Sequence, residues 1–183
     1  MDLYFKAESS FKYLSGYTTF SENIGILSTS NFAANYVNGI PVYIENDVII
    51  ESLSFRVNSS VVGNAVLGVY KYRENTNDWE LVDQTLGTID ASVTGLQELF
   101  FASTLNLKKG IYCFAGNSNA IISTSTYSVS SLKNIFGNIS TGLADYNIVQ
   151  YAYTYTGTLP STIPFSVISF GPKMAWVIAA KIS

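Results

Sequence analysis

AVLGVYKYR at 65–73, ENTN at 74–77 and DWELVDQTL at 78–86 decide the fold class. Side chains in an extended strand alternate between two faces. Leu67, Val69 and the stem of Lys71 therefore share one face, and Val66, Tyr70 and Tyr72 share the other. The run reads as a half-buried strand. The short polar stretch ENTN cannot continue it and reads as a turn. The run from Asp78 to Leu86 then returns as the paired strand of a hairpin.

The same period extends outward in both directions. VIIESLSFRV at 48–57 alternates, with Ile49, Glu51, Leu53, Phe55 and Val57 expected on one face and Ile50, Ser52, Ser54 and Arg56 on the other. LQELFFAS at 96–103 is a further strand. In LNLKKGIYCFAG at 105–116, Gly110 marks a turn and Ile111 to Ala115 enter a buried strand. Residues 121–129, 147–156 and MAWVIAAKI at 174–182 complete the set. SNFAANYV at 30–37 and SSLKNIF at 130–136 would support one helical turn each, and no segment holds a 3.6-residue apolar period for three turns. Many short strands at spacings of roughly 8–12 residues indicate an all-β fold, an antiparallel β-sandwich or else a barrel. One domain is expected over 29–183, preceded by an arm over 1–28. The arm carries Tyr4, Phe5, Phe11, Tyr13, Tyr17 and Phe20, too much aromatic surface for a solvated tail.

Composition narrows the function classes. The chain has 183 residues, 48% apolar and 13% charged, about half the charge usual for a globular protein. Its 23 serines, 15 threonines and 15 asparagines must supply most of the polar surface. Net charge is −3 and no basic stripe exists beyond Lys108-Lys109, with Lys71 and Arg73 nearby, so phosphate neutralisation has no footing and nucleic acid is not the expected partner. A neutral, hydrogen-bonding surface suits protein partners or sugars. The single Cys113 excludes a disulfide framework and a thiolate metal cluster. The N-terminal run lacks a basic segment followed by an apolar one, so no signal peptide is expected. No apolar run reaches the roughly 18 residues of a membrane helix, so membrane insertion is not expected either.

Histidine is absent, which removes Ser-His-Asp and Cys-His catalysis and histidine-bearing metal sites. No GxxxxGK or GxGxxG loop occurs, and no cofactor, no metal and no enzymatic activity are expected. Cys113 within IYCFA reads as a core residue. Glu51 and Glu98 are the strand-borne acids that a glycosidase-like pair would use, although exposed strand faces explain them as well. Asn75, Asn77 and Asp78 cluster oxygens at the hairpin tip, either as a simple turn or as calcium ligands. The sequons at Asn58 and Asn138 read as chance. Two features are candidates for ligand binding. Tyr151, Tyr153 and Tyr155 in YAYTYTGT share one face and would form an aromatic platform for a sugar face, or else pack a core or subunit interface. Trp79 at the hairpin offers the same choice between ligand contact and cross-strand packing.

The order of NYVNGIPVYI (35–44), IIESLSFRV (49–57), AVLGVYKY (65–72) and LNLKKGIYCFAG (105–116) resembles a β-sandwich module of tailed-phage virion proteins, found in tail fibres, baseplates and capsid-attached head fibres. The shared pattern is an aromatic-Pro-aromatic strand around Pro41 and Tyr43, a strand ending Phe-Arg-Val, a Gly-Val-Tyr strand, and a Leu-x-x-Gly-x-Tyr strand from Leu107 to Tyr112. TLPSTIPFSV, with Pro160 and Pro164, resembles the module's closing segment. The resemblance covers about residues 35–183, and RENTNDW replaces the module's usual Pro-Gly turn. It implies a jelly-roll-like sandwich, commonly a homotrimer, located in the virion. Its partners would be other capsid or tail proteins, with a host-surface glycan as a further candidate.

Overall fold

The computed structural model describes residues 13–14, 17–19, 27–44, 46–128, 149–167, 169–170, 174–176 and 178–182. Among these there is no α-helix. The strands are β1 (Tyr13–Leu14), β2 (Tyr17–Thr19), β3 (Leu27–Phe32), β4 (Tyr36–Ile44), β5 (Val48–Val57), β6 (Asn64–Arg73), β7 (Asp78–Gln84) and β8 (Ile89–Asp90). They continue as β9 (Gly95–Leu107), β10 (Gly110–Ser118), β11 (Ile122–Ser128), β12 (Val149–Ala152), β13 (Thr162–Pro164), β14 (Ser169–Phe170), β15 (Met174–Trp176) and β16 (Ile178–Ile182). A 3₁₀ turn covers Phe165–Val167. The fold is all-β and antiparallel, as the alternation predicts.

Two eight-stranded sheets form. One follows the order β1-β2-β16-β5-β11-β15, with β3 on β11 and β9 on β5; the other follows β13-β7-β6-β10-β4-β12-β14, with β8 on β6. The hairpin over 65–86 is β6–β7. Its turn occupies residues 74–77, with Arg73 opposite Asp78 and Tyr72 opposite Trp79. Val82 is an extra residue in β7, because the register passes from Tyr70↔Leu81 to Val69↔Asp83.

Three expectations change. SNFAANYV is strand, tight turn and strand, not a helical turn. Asn35 in that turn has φ 57°, a left-handed conformation asparagine tolerates better than most residues. The second candidate, at 130–136, lies outside the described residues. MAWVIAAKI is two short strands with different neighbours: β15 pairs with β11, whereas β16 pairs with β5 and β2. That last pairing ties Tyr17–Thr19 of the N-terminal region to the C-terminal strand.

The third change concerns β5. Ile49 is 41% exposed and Ile50 fully buried with Leu53, Phe55 and Val57, the reverse of strict alternation. A β-bulge is the cause. Against β16 the register goes from Ile50↔Ile182 to Ser52↔Lys181, and against β9 from Ile50↔Leu105 to Ser52↔Phe100. Both ladders step over Glu51. One added residue moves every side chain before it to the other face.

Two cores result. The first lies between the sheets and combines Phe32, Ile50, Leu53, Phe55, Val57, Leu105, Leu107 and Ile122 with Val42, Ile44, Leu67, Val69, Tyr112 and Phe114. The second lies on the far face of the β6–β10 sheet: Val37, Val66, Tyr70, Trp79, Ile111, Cys113 and Ala115, closed by Leu159 and Ile163. β6 and β10 are therefore buried on both faces, which explains their continuous apolar runs.

What covers the second core is a strap. The chain leaves β12 beside β4, crosses the sheet, and rejoins it as β13 beside β7. β12 and β13 lie five positions apart in that sheet, about 24 Å at the usual strand spacing. The nine intervening residues reach at most about 30 Å, so the strap runs nearly taut. Beneath it, a Cβ on Gly68 would sit 2.5 Å from Leu159 Cδ1, so the missing side chain is the slot that Leu159 fills. Gln84 Oε1 accepts the Leu159 N–H at 2.9 Å, and the Tyr70 hydroxyl donates to the Pro160 carbonyl at 2.9 Å. Leu159→Ala should cost about 2–3 kcal/mol, near the low end for a buried leucine because the strap can settle toward Gly68. Urea unfolding checks it.

Candidate functional site

The tyrosine row sits where the strap begins. Tyr151 lies in β12 opposite Val37. After Ala152 the chain leaves the ladder, so the expected strand at 147–156 is shorter than its alternation suggests. The alternation itself persists: Tyr151, Tyr153 and Tyr155 are half-buried against the second core, while Ala152, Thr154 and Thr156 are exposed. Asn35 enforces this path. Its carbonyl accepts the Tyr153 N–H at 3.0 Å and its side-chain oxygen accepts the Tyr155 N–H at 3.0 Å. Asn117 Nδ2 donates to the Tyr153 carbonyl at 3.0 Å from below. The rings of Tyr151 and Tyr153 are 6.4 Å apart and inclined by 23°, a loose stack. Burial raises the pKa of Tyr155.

Trp79 does not belong to this platform. It has 0% exposure and is the largest fully buried side chain described. Tyr72 packs on it across the hairpin, with ring centroids 5.3 Å apart, and Ile163 of the strap lies opposite it in the ladder. Cross-strand packing is therefore its role here, and its ring offers no surface to a ligand.

The hairpin tip spends its oxygens internally. Asp78 accepts both Arg73 Nε and Nη2 at 2.8 Å, and the Thr76 hydroxyl at 2.9 Å. Tyr72 donates to Asn77 Oδ1 at 2.7 Å. The Arg73 hydrogen bond holds the Asp78 carboxyl below its usual pKa. This is a fastened turn; no cluster of metal-ligating side chains occurs among the described residues. Of the two strand acids, Glu98 accepts a hydrogen bond from the buried Ser52 hydroxyl across β5–β9, and Glu51 occupies the bulge. Register places Glu98 opposite Ser54.

Cys113 is buried in the second core, as its sequence context suggests. Gly39 makes room for it: a Cβ there would lie 2.4 Å from the sulfur. Burial pushes the Cys113 thiol well above its ordinary pKa and does the same to the Tyr70 hydroxyl. Both stay neutral in the fold, but in the unfolded chain they ionise near pH 8.5 and pH 10. Above those values the unfolded state holds fewer protons, so their contribution is complete at neutral pH and declines as pH rises. The loss is about 1.4 kcal/mol per pH unit for each group above its unfolded pKa. The urea midpoint should be level from about pH 6 to 8 and fall above about pH 9. Cys113→Ala should move the start of that fall toward pH 10.

A surface that sequence reasoning missed lies at one end of the sandwich, where three loops are laced together. Val61 N–H bonds the Ala91 carbonyl at 2.9 Å, Ala91 N–H the Gly63 carbonyl at 2.9 Å, and Ser60 Oγ the Ser92 carbonyl at 2.9 Å. Asn119 Oδ1 accepts the Asn64 N–H at 2.8 Å. From these fixed loops Val62, Val93 and Ile121 point outward at 92%, 53% and 60% exposure, with Leu96 of β9 at 58%. Ser59, Ser60, Ser92, Thr94 and Asn119 around them are exposed and uncharged. The signal was Val61-Val62 beside Gly63: one valine packs into the first core, so its neighbour points away. No protein-family model matches the chain, and no curated protein matches its sequence.

Proposed function

We propose that the chain is a structural subunit of a bacteriophage virion, in a tail fibre, baseplate or capsid-attached head fibre, and that it acts through protein contacts rather than catalysis. The observation that carries this reading is the end surface of Val62, Val93, Leu96 and Ile121. Its apolar side chains stand on loops immobilised by hydrogen bonds, so ordering them on contact costs little, and the rim is neutral apart from Asp90, whose carboxylate is hydrogen-bonded by Ser92. The order of motifs along 35–183 supplies the virion context. Light scattering should find an oligomer, a homotrimer on this reading. The double change Val62→Asp and Ile121→Asp should weaken either that oligomer or capture of a capsid or tail protein. A strict monomer at micromolar concentration that binds no capsid or tail component overturns the proposal.

A second reading, glycan or receptor binding, is favoured by the loose Tyr151–Tyr153 stack, whose rings are half-exposed. It predicts saccharide binding on an array that Tyr151→Ala, Tyr153→Ala and Tyr155→Ala abolish together. Binding that survives the triple change removes these residues from consideration.

A further inference from the structure

We propose that the outer face of the β5–β9 pair holds a saccharide site, built from Ser52, Ser54, Arg56, Glu98 and Phe100 and selective for neutral sugars. The proposal goes beyond the assembly reading, and it uses none of the tyrosines of the second reading.

Register aligns the residues. Phe100 stands opposite Ser52, Glu98 opposite Ser54 and Leu96 opposite Arg56, with no break in the ladder between Gly95 and Phe100. Residues in step along a strand share a face, and the intervening Leu53, Phe55 and Leu99 pack into the first core. The six therefore face away from that core. Phe100 and Leu96 are 49% and 58% exposed and lie about 7 Å to either side of Glu98. Leu96 is where this face meets the end surface. Beyond Phe100 and Ser52 the register shift, four residues in β9 against one in β5, ends the regular face on that side.

One polar atom in this face has no partner. Ser54 is 1% exposed, and its buried Oγ makes no hydrogen bond. Ser52 beside it is fully buried and donates to Glu98 Oε1. Buried hydroxyls are ordinarily satisfied, so the orphan at Ser54 points to a partner that the protein itself does not supply. Arg56 is exposed and makes no hydrogen bond or ion pair among the described residues, although Glu98 is its diagonal neighbour. The neighbours of Ser54 on the face are thus an exposed, unpaired arginine and a half-exposed glutamate, long side chains whose movement opens the Oγ to a ligand.

These groups match one ligand chemistry. A carboxylate accepts hydrogen bonds from two neighbouring sugar hydroxyls, and a serine hydroxyl and a guanidinium donate to sugar oxygens. An exposed phenyl ring covers the apolar C–H face of a pyranose. The charges of Glu98 and Arg56 cancel, and an anionic sugar would bring its own charge against the glutamate, so the fit is to a neutral saccharide.

Saturation-transfer NMR with methyl glucoside, methyl galactoside and methyl mannoside tests the site. At least one of the three should bind, and sialic acid should not. Glu98→Gln, Phe100→Ala and Ser54→Ala should each weaken that binding roughly tenfold while the far-ultraviolet circular dichroism stays unchanged. The triple change of Tyr151, Tyr153 and Tyr155 to alanine should leave it intact. Binding that the tyrosine change abolishes and Glu98→Gln spares puts the sugar on the tyrosine row and overturns the proposal. Binding unchanged in Ser54→Ala also overturns it, the hydroxyl then being satisfied by water alone. Failure of all three hexosides to bind, or binding of sialic acid only, overturns the site and leaves the assembly reading standing, because light scattering decides that one.

Discussion

Replacing Trp79 by alanine is expected to destabilise the protein by about 3–5 kcal/mol. The ring is fully buried in the second core, faces Tyr72 across the hairpin and lies opposite Ile163 of the strap. Its loss removes apolar burial and leaves a cavity between hairpin and strap. The hairpin wall cannot close it, because it is pinned at its tip by the Arg73–Asp78 pair. With a urea m-value of about 2–3 kcal/mol per molar, the midpoint should fall by roughly 1–2 M. Trp79→Phe, which refills most of the volume, should recover more than half of the loss. A midpoint that does not move for Trp79→Ala would mean that the indole is not in the core. The same variant separates packing from recognition: any saccharide affinity should fall only in step with the folded fraction.

The hairpin shows how much of this was legible and where legibility stopped. Its two strands, its turn and the division of Leu67 and Val69 from Val66 and Tyr70 follow from a period of two, because each residue answers to its immediate neighbours. The burial of β10 was also written in its continuous apolar run, whereas β6 reads from its sequence as half-buried. The cover over its second face was not legible. The strap residues Thr154 to Ser161 are mostly small and polar, and only Leu159 marks where the chain plugs the sheet. That contact is set by a glycine ninety-one positions earlier, and no local pattern encodes it. Trp79 shows the same limit: its sequence leaves ligand contact and cross-strand packing both open, and the burial that favours packing comes from a distant segment that closes over it. The four exposed apolar residues of the end surface come from separate loops and strands, which the hydrogen bonds Ala91–Gly63 and Asn64–Asn119 bring together.

The bulge in β5 leads to the sharpest contrast. Deleting Ser54 is expected to prevent folding at 25 °C, whereas deleting Glu51 should be tolerated. β5 lies between β16 and β9, and Ile50, Leu53, Phe55 and Val57 are each no more than 1% exposed. Without Ser54, Leu53 and Phe55 become neighbours and must point to opposite faces. Either Ile50 and Leu53 or Phe55 and Val57 then leave the core, at about 1.5–3 kcal/mol for each side chain. The charged Arg56, or Ser52 stripped of its hydrogen bond to Glu98, turns toward the first core in their place, which adds the cost of an unsatisfied buried polar group. The total matches or exceeds the roughly 5–15 kcal/mol that stabilises an ordinary domain. Deleting Glu51 has the opposite logic. Both ladders already step over this residue, and β9 steps over 101–104 at the same place, so Ile50 and Ser52 become adjacent with Ile50 toward the first core and Ser52 toward the opposite, also buried face, and alternation runs unbroken to Val57. Only the local twist of the bulge is lost, and the cost should stay below about 2 kcal/mol. Circular dichroism and urea unfolding of the two deletions decide the matter. A folded Ser54 deletion beside an unfolded Glu51 deletion would move the bulge elsewhere in β5. Because Ser52 is also the residue that hydrogen-bonds Glu98, a tolerated Glu51 deletion would leave that pair intact while removing the other strand acid, and with it any two-carboxylate chemistry on this face.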